Sequence, residues 1–585
     1  MINKFKNIKV ENIMNIVLAI CFVIGFDYYF FQGDNLGKHS VFNFILLFFN
    51  ILLFNTKKTK DDKKNVFIFS FMFSLFLLIG QKIYIYNDIS AFKSFKTIIL
   101  LIISLCGFTK TFGEIIAIML SKIKGINKSK LWKFYNHKYV FIILWFVIFV
   151  SWVPAFLAYY PGILSYDSLS QTNQIFSGVY LSAHPPLHTF IWEICLKLGG
   201  MHSKNALVIY SIIQMLFLSF VCARMIKYLI DKKVNNYIIL ISILFVTINP
   251  VIAIFSMSMT KDVYFTAFFV LFILELLEFI KDPSKYCDSK FKILLFIIIA
   301  LVMCLFRSNA IYVLILTCIG VIIGLKKYYK KVMFLFFIPI IFCYLITNGL
   351  YNYLGFVKGG SCEMLSIPIQ QISYVIYKHD DEIPKKMKKE ISNFLGYYLV
   401  SDSYNPRFAD PIKGTFKNEY YDANKQEFYK LYFNLFKQYP ANYVSAFLSL
   451  NLPYWYIDAD VIDKYSKRKY IETDMRIGDN YKIKRESKIP SLLKIYKSVE
   501  DYSLFEKIPF VSLLFSLSFP IWFIIFTLCE FLNAKRYKLI LVLLPMIFLW
   551  LTYIAGPVSI FRYVLPLFVL YPLILSLTLN YKNFE

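Results

Sequence analysis

Apolar residues along this chain fall into repeated runs of about 16 to 25, the length an α-helix needs to cross some 30 Å of hydrocarbon. Short polar links, many of them rich in lysine, separate the runs. The pattern predicts about fourteen membrane-spanning helices, at 11–31, 40–55, 66–86, 97–120, 139–159, 205–229, 236–255, 263–281, 290–306, 310–325, 332–354, 507–531, 537–555 and 562–580. The expected fold is an all-α polytopic membrane protein. One long interruption, 355–506, reads as a mostly helical insert, with helical periodicity after Pro384 to Leu399 and again over 418–438. Within it, 440–457 is apolar enough to lie against a bilayer, where Trp455 suits the interface, and 458–488 reads as a flexible, densely charged surface loop.

Charge orients the helices. Under strict alternation the links at 56–65 (five Lys), 121–138 (six Lys and no acid), 230–235, 280–290, 326–331 and 532–537 share one face. The positive-inside rule makes that face cytoplasmic and puts both termini inside. Segments 160–204, 256–262, 307–309, 355–506 and 556–561 are then outside. The chain divides into an N-terminal four-helix membrane extension (1–138), a membrane core with its first outer loop at 160–204 (139–354), the insert (355–506) and a C-terminal three-helix segment (507–585).

Composition agrees: 58% of residues are hydrophobic and 19% aromatic, which excludes an ordinary water-soluble globule. The formal charge of +27 invites a nucleic-acid reading, but the insert carries only about three net positive charges, so most of the excess sits in inner loops facing anionic lipid. No nucleic-acid partner is expected; the bilayer is. Lys4, Lys6 and Lys9 precede an apolar stretch with no small-residue cleavage pattern, so the first span is read as uncleaved. Of ten cysteines only Cys195 and Cys362 fall in outer segments, and the six histidines lack the spacing of a zinc site. The abundance of Lys, Ile, Asn, Phe and Tyr is that of an AT-rich genome and points to a bacterial plasma membrane.

The most informative stretch is the first outer loop. Tyr160-Pro-Gly ends the fifth span, and Ser165-Tyr166-Asp167-Ser-Leu-Ser-Gln171 opens a short amphipathic helix. His184-Pro-Pro-Leu-His188 starts a second, too short and polar to cross. The loop brings a carboxylate, Asp167, an amide, Gln171, and an imidazole, His184, to the membrane interface. A plainer alternative is that Asp167 only caps its helix. Three further outer turns carry charge: Lys261-Asp262, Arg307 with Asn309 nearby, and Arg562 at the opening of the last span. Each charge would cost about 2.5–3.5 kcal/mol at a helix centre, so pairing or snorkelling is expected.

A span, an outer loop with an acid, two interfacial helices and a His-Pro-Pro-Leu opening together resemble the GT-C superfamily of glycosyltransferases that use polyprenyl-phosphate sugars. The chain is similar also to a family of large Gram-positive polytopic membrane proteins with the same Tyr-Pro-Gly, Asp-Ser, Gln and His-Pro-Pro segment and the Leu-Ser-Ile-Pro-Ile-Gln-Gln stretch at 365–371. The resemblance spans roughly 139–580. It implies a hexosyltransferase-type enzyme with Asp167 and Asp262 as catalytic carboxylates and Lys261, Arg307 and Arg562 on the donor phosphate. A divalent ion, Mg or Mn, is the one cofactor it allows; the donor is an undecaprenyl-phosphate-linked sugar and the acceptor a cell-envelope glycan or protein. Tyr166, Gln171, His184 and Asn309 are expected at the substrate. In the insert, Glu363, Gln370, Gln371, Arg407 and Asp410 are candidates for acceptor binding, although a solvated loop with local ion pairs would look the same. The large C-terminal outer domain common among GT-C enzymes is missing. An envelope polysaccharide polymerase or ligase, and a lipid-linked sugar transporter or flippase, remain as alternatives; the latter predicts midplane charges and an inverted repeat, neither of which is evident.

Overall fold

Long apolar runs bounded by lysine-rich links fold as helices, and the computed structural model describes them over residues 10–31, 40–56, 63–123, 132–182, 184–459, 483–500, 503–506, 508 and 510–584. Eight helices are long and apolar enough to cross a membrane. Two bent pairs raise that to ten: Asn236–Ile248 with Pro250–Ser256, bent by 54°, and Phe561–Val569 with Tyr571–Asn583, bent by 41°. Both bends have a proline just after the break, Pro250 and Pro572, where a backbone donor is lost. Shorter apolar helices, Ser40–Phe54, Ala310–Gly324 and Phe519–Asn533, occupy other predicted runs. The protein is an all-α polytopic membrane protein. Its one described sheet is a two-residue parallel pairing of Ile163–Leu164 with Ser258–Met259.

Helix Lys261–Lys281 is the hub. It is the most enclosed of the long apolar helices, and Lys204–Asp231, Lys290–Phe306, Tyr537–Ile554 and Phe561–Val569 all pack on it. A single core runs from Tyr135 to Phe584 around it. The hub begins where Thr260 caps it, so whatever stands in its first turn lies at the centre of one end of the bundle.

The N-terminal helices Val10–Phe30, Ser40–Phe54, Lys63–Tyr86 and Phe95–Ile123 form a subsidiary bundle. Gly107 lets two of them touch: a Cβ there would lie 2.2 Å from the Phe22 nitrogen. This bundle joins the rest through Trp522, whose ring sits 4.9 Å from Phe73, 5.7 Å from Phe76 and 6.2 Å from Phe69.

The insert has its own apolar core, from Leu365 to Tyr443. Its helices are shorter than the periodicity predicts. Lys385–Phe394 stops well before 399, and the 418–438 run divides at Asn424 into Asn418–Ala423 and Lys425–Gln438. Residues 440–457 are largely covered by protein. Leu452, Tyr454, Trp455 and Tyr456 are buried between the N-terminal bundle and the core, where the Trp455 carbonyl accepts from Trp522 Nε1 at 2.8 Å. That segment is apolar because protein covers it. Of the charged stretch 458–488, residues 460–482 lie outside the described residues. The part beyond them is pinned: Glu486 and Lys488 donate backbone N–H groups to the carbonyls of Tyr160 and Leu157 at 2.8 and 2.9 Å.

Candidate functional site

Four chain turns meet at the insert-bearing end of the hub. In the first, helix Val140–Ala158 ends and Gly162 turns the chain at φ +144°, a conformation only glycine adopts readily, with Ser211 too close for any Cβ. Ile163–Leu164 then pairs with Ser258–Met259, and Ser165 and Ser168 both give their hydroxyls to the Met259 carbonyl. Asp167 follows in the first turn of helix Tyr166–Ser177, where the helix dipole favours a carboxylate. In the second, Asn249 and Pro250 break the preceding span, and after the short helix Pro250–Ser256 the chain extends over 258–260 before Thr260 starts the hub with Lys261 and Asp262. The third places Arg307 just past helix Lys290–Phe306, and the fourth places Arg562 in the first turn of Phe561–Val569.

The five charged side chains from these turns form one cluster. Asp167 Oδ2 takes both Lys261 Nζ at 3.1 Å and Arg562 Nη1 at 3.3 Å. Asp262 Oδ1 takes Arg307 Nη1 at 3.0 Å, and its Oδ2 accepts from the Thr260 hydroxyl at 3.1 Å with Arg562 Nε at 3.8 Å. Arg562 therefore bridges the two acids. Tyr563 lies 4.2 Å under the Arg307 guanidinium. The two carboxylates differ. Asp262 is fully buried with both oxygens engaged, whereas Asp167 retains 12% exposure and its Oδ1 has no protein partner among the described residues. Burial alone would raise the Asp167 carboxyl, but Lys261 and Arg562 outweigh it and hold it well below the usual carboxylate range. His184 faces the same charges. Burial and then Lys261 lower it from its ordinary value, and its Nδ1 is buried with no partner among the described residues. Three cations against two carboxylates leave the cluster one positive charge over.

The remaining candidates divide. Asn309 donates to the Thr552 hydroxyl at 2.9 Å. Glu363 and Asp410 both hold the buried Lys413, at 2.8 and 3.0 Å. Gln370 and Gln371 face inward, donating to the carbonyls of Asn405 and Tyr443. Arg407 reaches Ser449 O at 3.3 Å and Asn87 Oδ1 at 3.1 Å, which ties the insert to the N-terminal bundle. The Tyr166 side chain lies outside the described residues. Gln171 is fully buried and meets His188, which in turn meets Tyr210. His188, Tyr210 and Gln214 escape a sequence reading. Their one signal is a pair of polar residues four apart, Tyr210 and Gln214, in a mostly apolar span.

Both carboxylates already hold fixed cations, and no group of three or more His, Cys, Asp or Glu side chains able to hold a metal occurs among the described residues.

Residues 177–583 match the family DUF6020, described as a family of unknown function. The chain belongs to that family. The matched region includes Lys261, Asp262, Arg307, Arg562 and the whole insert, and it begins after Asp167. No curated protein and no solved structure matches the chain.

Proposed function

We propose that this protein is a GT-C-type membrane glycosyltransferase that moves a sugar from an undecaprenyl-phosphate carrier to a cell-envelope acceptor on the outer face of the bacterial plasma membrane. The observation that carries the reading is the charge cluster. Four turns distant in sequence deliver three cations and two carboxylates to one end of the bundle, and one carboxylate oxygen, Asp167 Oδ1, has no partner among the described residues. Charges are expensive in a membrane protein interior, so their assembly asks for a reason beyond folding.

Each residue then has a chemical part. The surplus positive charge attracts an anionic donor phosphate to Lys261, Arg307 and Arg562. As the bond between the anomeric carbon and the phosphate oxygen breaks, these cations neutralise the charge that develops on the leaving phosphate. Asp167 Oδ1 accepts the proton of the acceptor hydroxyl that attacks the anomeric carbon. A carboxylate clamped by two cations is a weak base, and the donor corrects this: phosphate oxygens drawing on Lys261 and Arg562 relax their hold on Oδ2 and return basicity to Asp167. Asp262, fully buried and saturated, holds Arg307 and Arg562 and is a positioning residue. Both termini lie in the cytoplasm and the insert roofs the site from outside, in keeping with the lysine-rich links.

The test is transfer of radiolabelled sugar from synthetic undecaprenyl-phosphate donors into envelope extracts by the purified full-length protein. Label with the wild type that disappears in Asp167→Asn supports the reading. Equal label from both removes Asp167 from the chemistry, and no label from any donor overturns the transferase.

A further inference from the structure

A chain of buried polar side chains runs from the Asp167 loop to the turn before Lys261. Gln214 lies within a spanning helix, with its Nε2 at 3.3, 3.0 and 2.7 Å from the carbonyl oxygens of Phe255, Ser256 and Ser258. Its amide nitrogen is committed to donating, so its Oε1 accepts, and it takes the Tyr210 hydroxyl at 2.7 Å. A phenol has one proton. Tyr210 therefore meets His188 Nε2, 2.7 Å away, as an acceptor, and Nε2 carries the hydrogen. His188 is fully buried, and burial followed by Lys261 pushes it down to about 3, so its ring is neutral and Nδ1 is bare. The structure has Gln171 Oε1 at 2.9 Å from Nδ1 and Gln171 Nε2 at 3.1 Å from the Thr189 hydroxyl; a bare Nδ1 calls for the opposite amide orientation, with Nε2 donating to Nδ1 and Oε1 accepting from Thr189. The protons from His188 Nε2 to the backbone of 255–258 follow from the geometry; those at Gln171 and Thr189 follow once the ring is neutral.

Both ends of this chain touch the charge cluster's supports. Gln171 stands one helical turn beyond Asp167. Ser258, which Gln214 holds, pairs with Ile163, and its neighbour Met259 takes the Ser165 and Ser168 hydroxyls. Ser211, one turn from Gln214, donates to Met257 O at 3.4 Å. We infer that His188, Tyr210 and Gln214 are positioning residues which fix the register between the Asp167 loop and the Lys261-Asp262 turn, and so the Asp167–Lys261 pair on which the proposed transfer depends. The last clause rests on the glycosyltransferase reading; the register itself does not.

Two readouts separate them. Leu164 and Met259 are paired across the short sheet, so a Leu164→Cys, Met259→Cys protein oxidised in lipid nanodiscs and analysed by mass spectrometry reports the register directly. Adding Gln214→Leu, or the milder Tyr210→Phe should the first fail to fold, is expected to slow cross-linking by about tenfold, the worth of one buried hydrogen bond. Unchanged cross-linking in a folded variant overturns the inference. Nitrogen NMR of histidine-labelled protein, which has only six histidines, is expected to show one non-titrating ring protonated on Nε2 that disappears in His188→Gln; a ring protonated on Nδ1 also overturns it. Sugar transfer is measured on Tyr210→Phe in parallel. A fall in kcat with KM for the donor unchanged supports the positioning role, and unchanged kcat with altered cross-linking refutes its catalytic part. Absence of transfer by the wild type, with cross-linking still sensitive to Tyr210→Phe, sinks the glycosyltransferase reading and leaves the register assignment standing.

Discussion

The two aspartates of the cluster are solvated differently, and the proposed transfer gives them different work. Asp262 is fully buried and is the acid partner of Arg307, itself only 11% exposed. Asp262→Asn would strand that guanidinium, and the expected loss is about 3–5 kcal/mol of stability, read as a lowered midpoint in denaturant titration of the purified protein. Asp167 is partly open, so Asp167→Asn should cost far less stability and abolish transfer. A pair of variants with the opposite ranking would contradict the division of roles. His188 contributes a pH dependence of definite sign. Its folded pKa lies near 3, below the ordinary histidine value, so between about 3 and 6.5 the unfolded chain binds the extra proton and stability falls as pH drops, by up to about 1.4 kcal/mol per unit. The titratable and charged groups that face its ring include Lys261, Asp167, His184, Tyr210 and Tyr264. Asp167, held far below the usual range, adds nothing to that slope above the ordinary carboxylate pKa. His188→Gln should therefore flatten the denaturation midpoint between pH 5 and 6.5. A slope unchanged by the substitution would assign the dependence elsewhere.

At the scale of elements, the helices were legible and their interruptions were less so. Apolar runs with lysine at their ends could hardly be anything else, and Asp167, Lys261, Asp262, Arg307 and Arg562 stood out because charge at the rim of an apolar helix is costly. Alternation then put all five on one face, though not in contact; contact follows from Gly162, the Asn249-Pro250 break and the short sheet, whose pairing partners lie 95 residues apart, as Ile163 and Ser258 show. His188 and Gln214 were invisible because their role is set by neighbours from other helices. The 440–457 segment misled for the opposite reason: hydropathy reports that a surface is covered, and cannot say whether lipid or protein covers it. Arg407 illustrates the same limit. Its polar loop reads as a recognition element, yet its guanidinium holds Ser449 and Asn87 and lies over Tyr84. Arg407→Ala should loosen the insert from the N-terminal bundle by about 1.5–3 kcal/mol, the worth of hydrogen bonds to a charged group. Hydrogen exchange is expected to speed up in Pro440–Asn451 and Ser366–His379 and to leave the hub unchanged. Exchange unaltered in those helices would show that the tie is not structural.

For the whole molecule, the N-terminal bundle acts as a strut. It lies outside the family match, yet the insert inside that match rests on it: Tyr374 donates to the Asn87 carbonyl at 2.9 Å, Ser445 to Asp88 at 3.1 Å, and Tyr456 to Gln81. The insert in turn hooks onto two of the four segments that carry the site, by the bridge from Val357 to Leu181 in the Asp167 loop and by Ala409 N–H donating to Pro557 O, ahead of Arg562, at 2.9 Å. Strut, roof and charge cluster thus share one end of the bundle, and the direction in which that end faces decides whether a lipid-linked donor and an envelope acceptor can reach it together. The lysine-rich links predict that it faces out. Met364, on the insert and 82% exposed, replaced by cysteine should react with a membrane-impermeant maleimide in intact cells. Lys535, in the turn between Phe519–Asn533 and Tyr537–Ile554 at the opposite end, replaced likewise should react only after lysis. Among the native thiols, Cys362 is partly exposed on the same insert, so the comparison is made in a Cys362→Ser background. The reverse pattern would place the cluster in the cytoplasm, where soluble nucleotide sugars are available and a lipid-phosphate donor is no longer required. The transferase proposal would then lose the argument for its donor even if Asp167 proved essential.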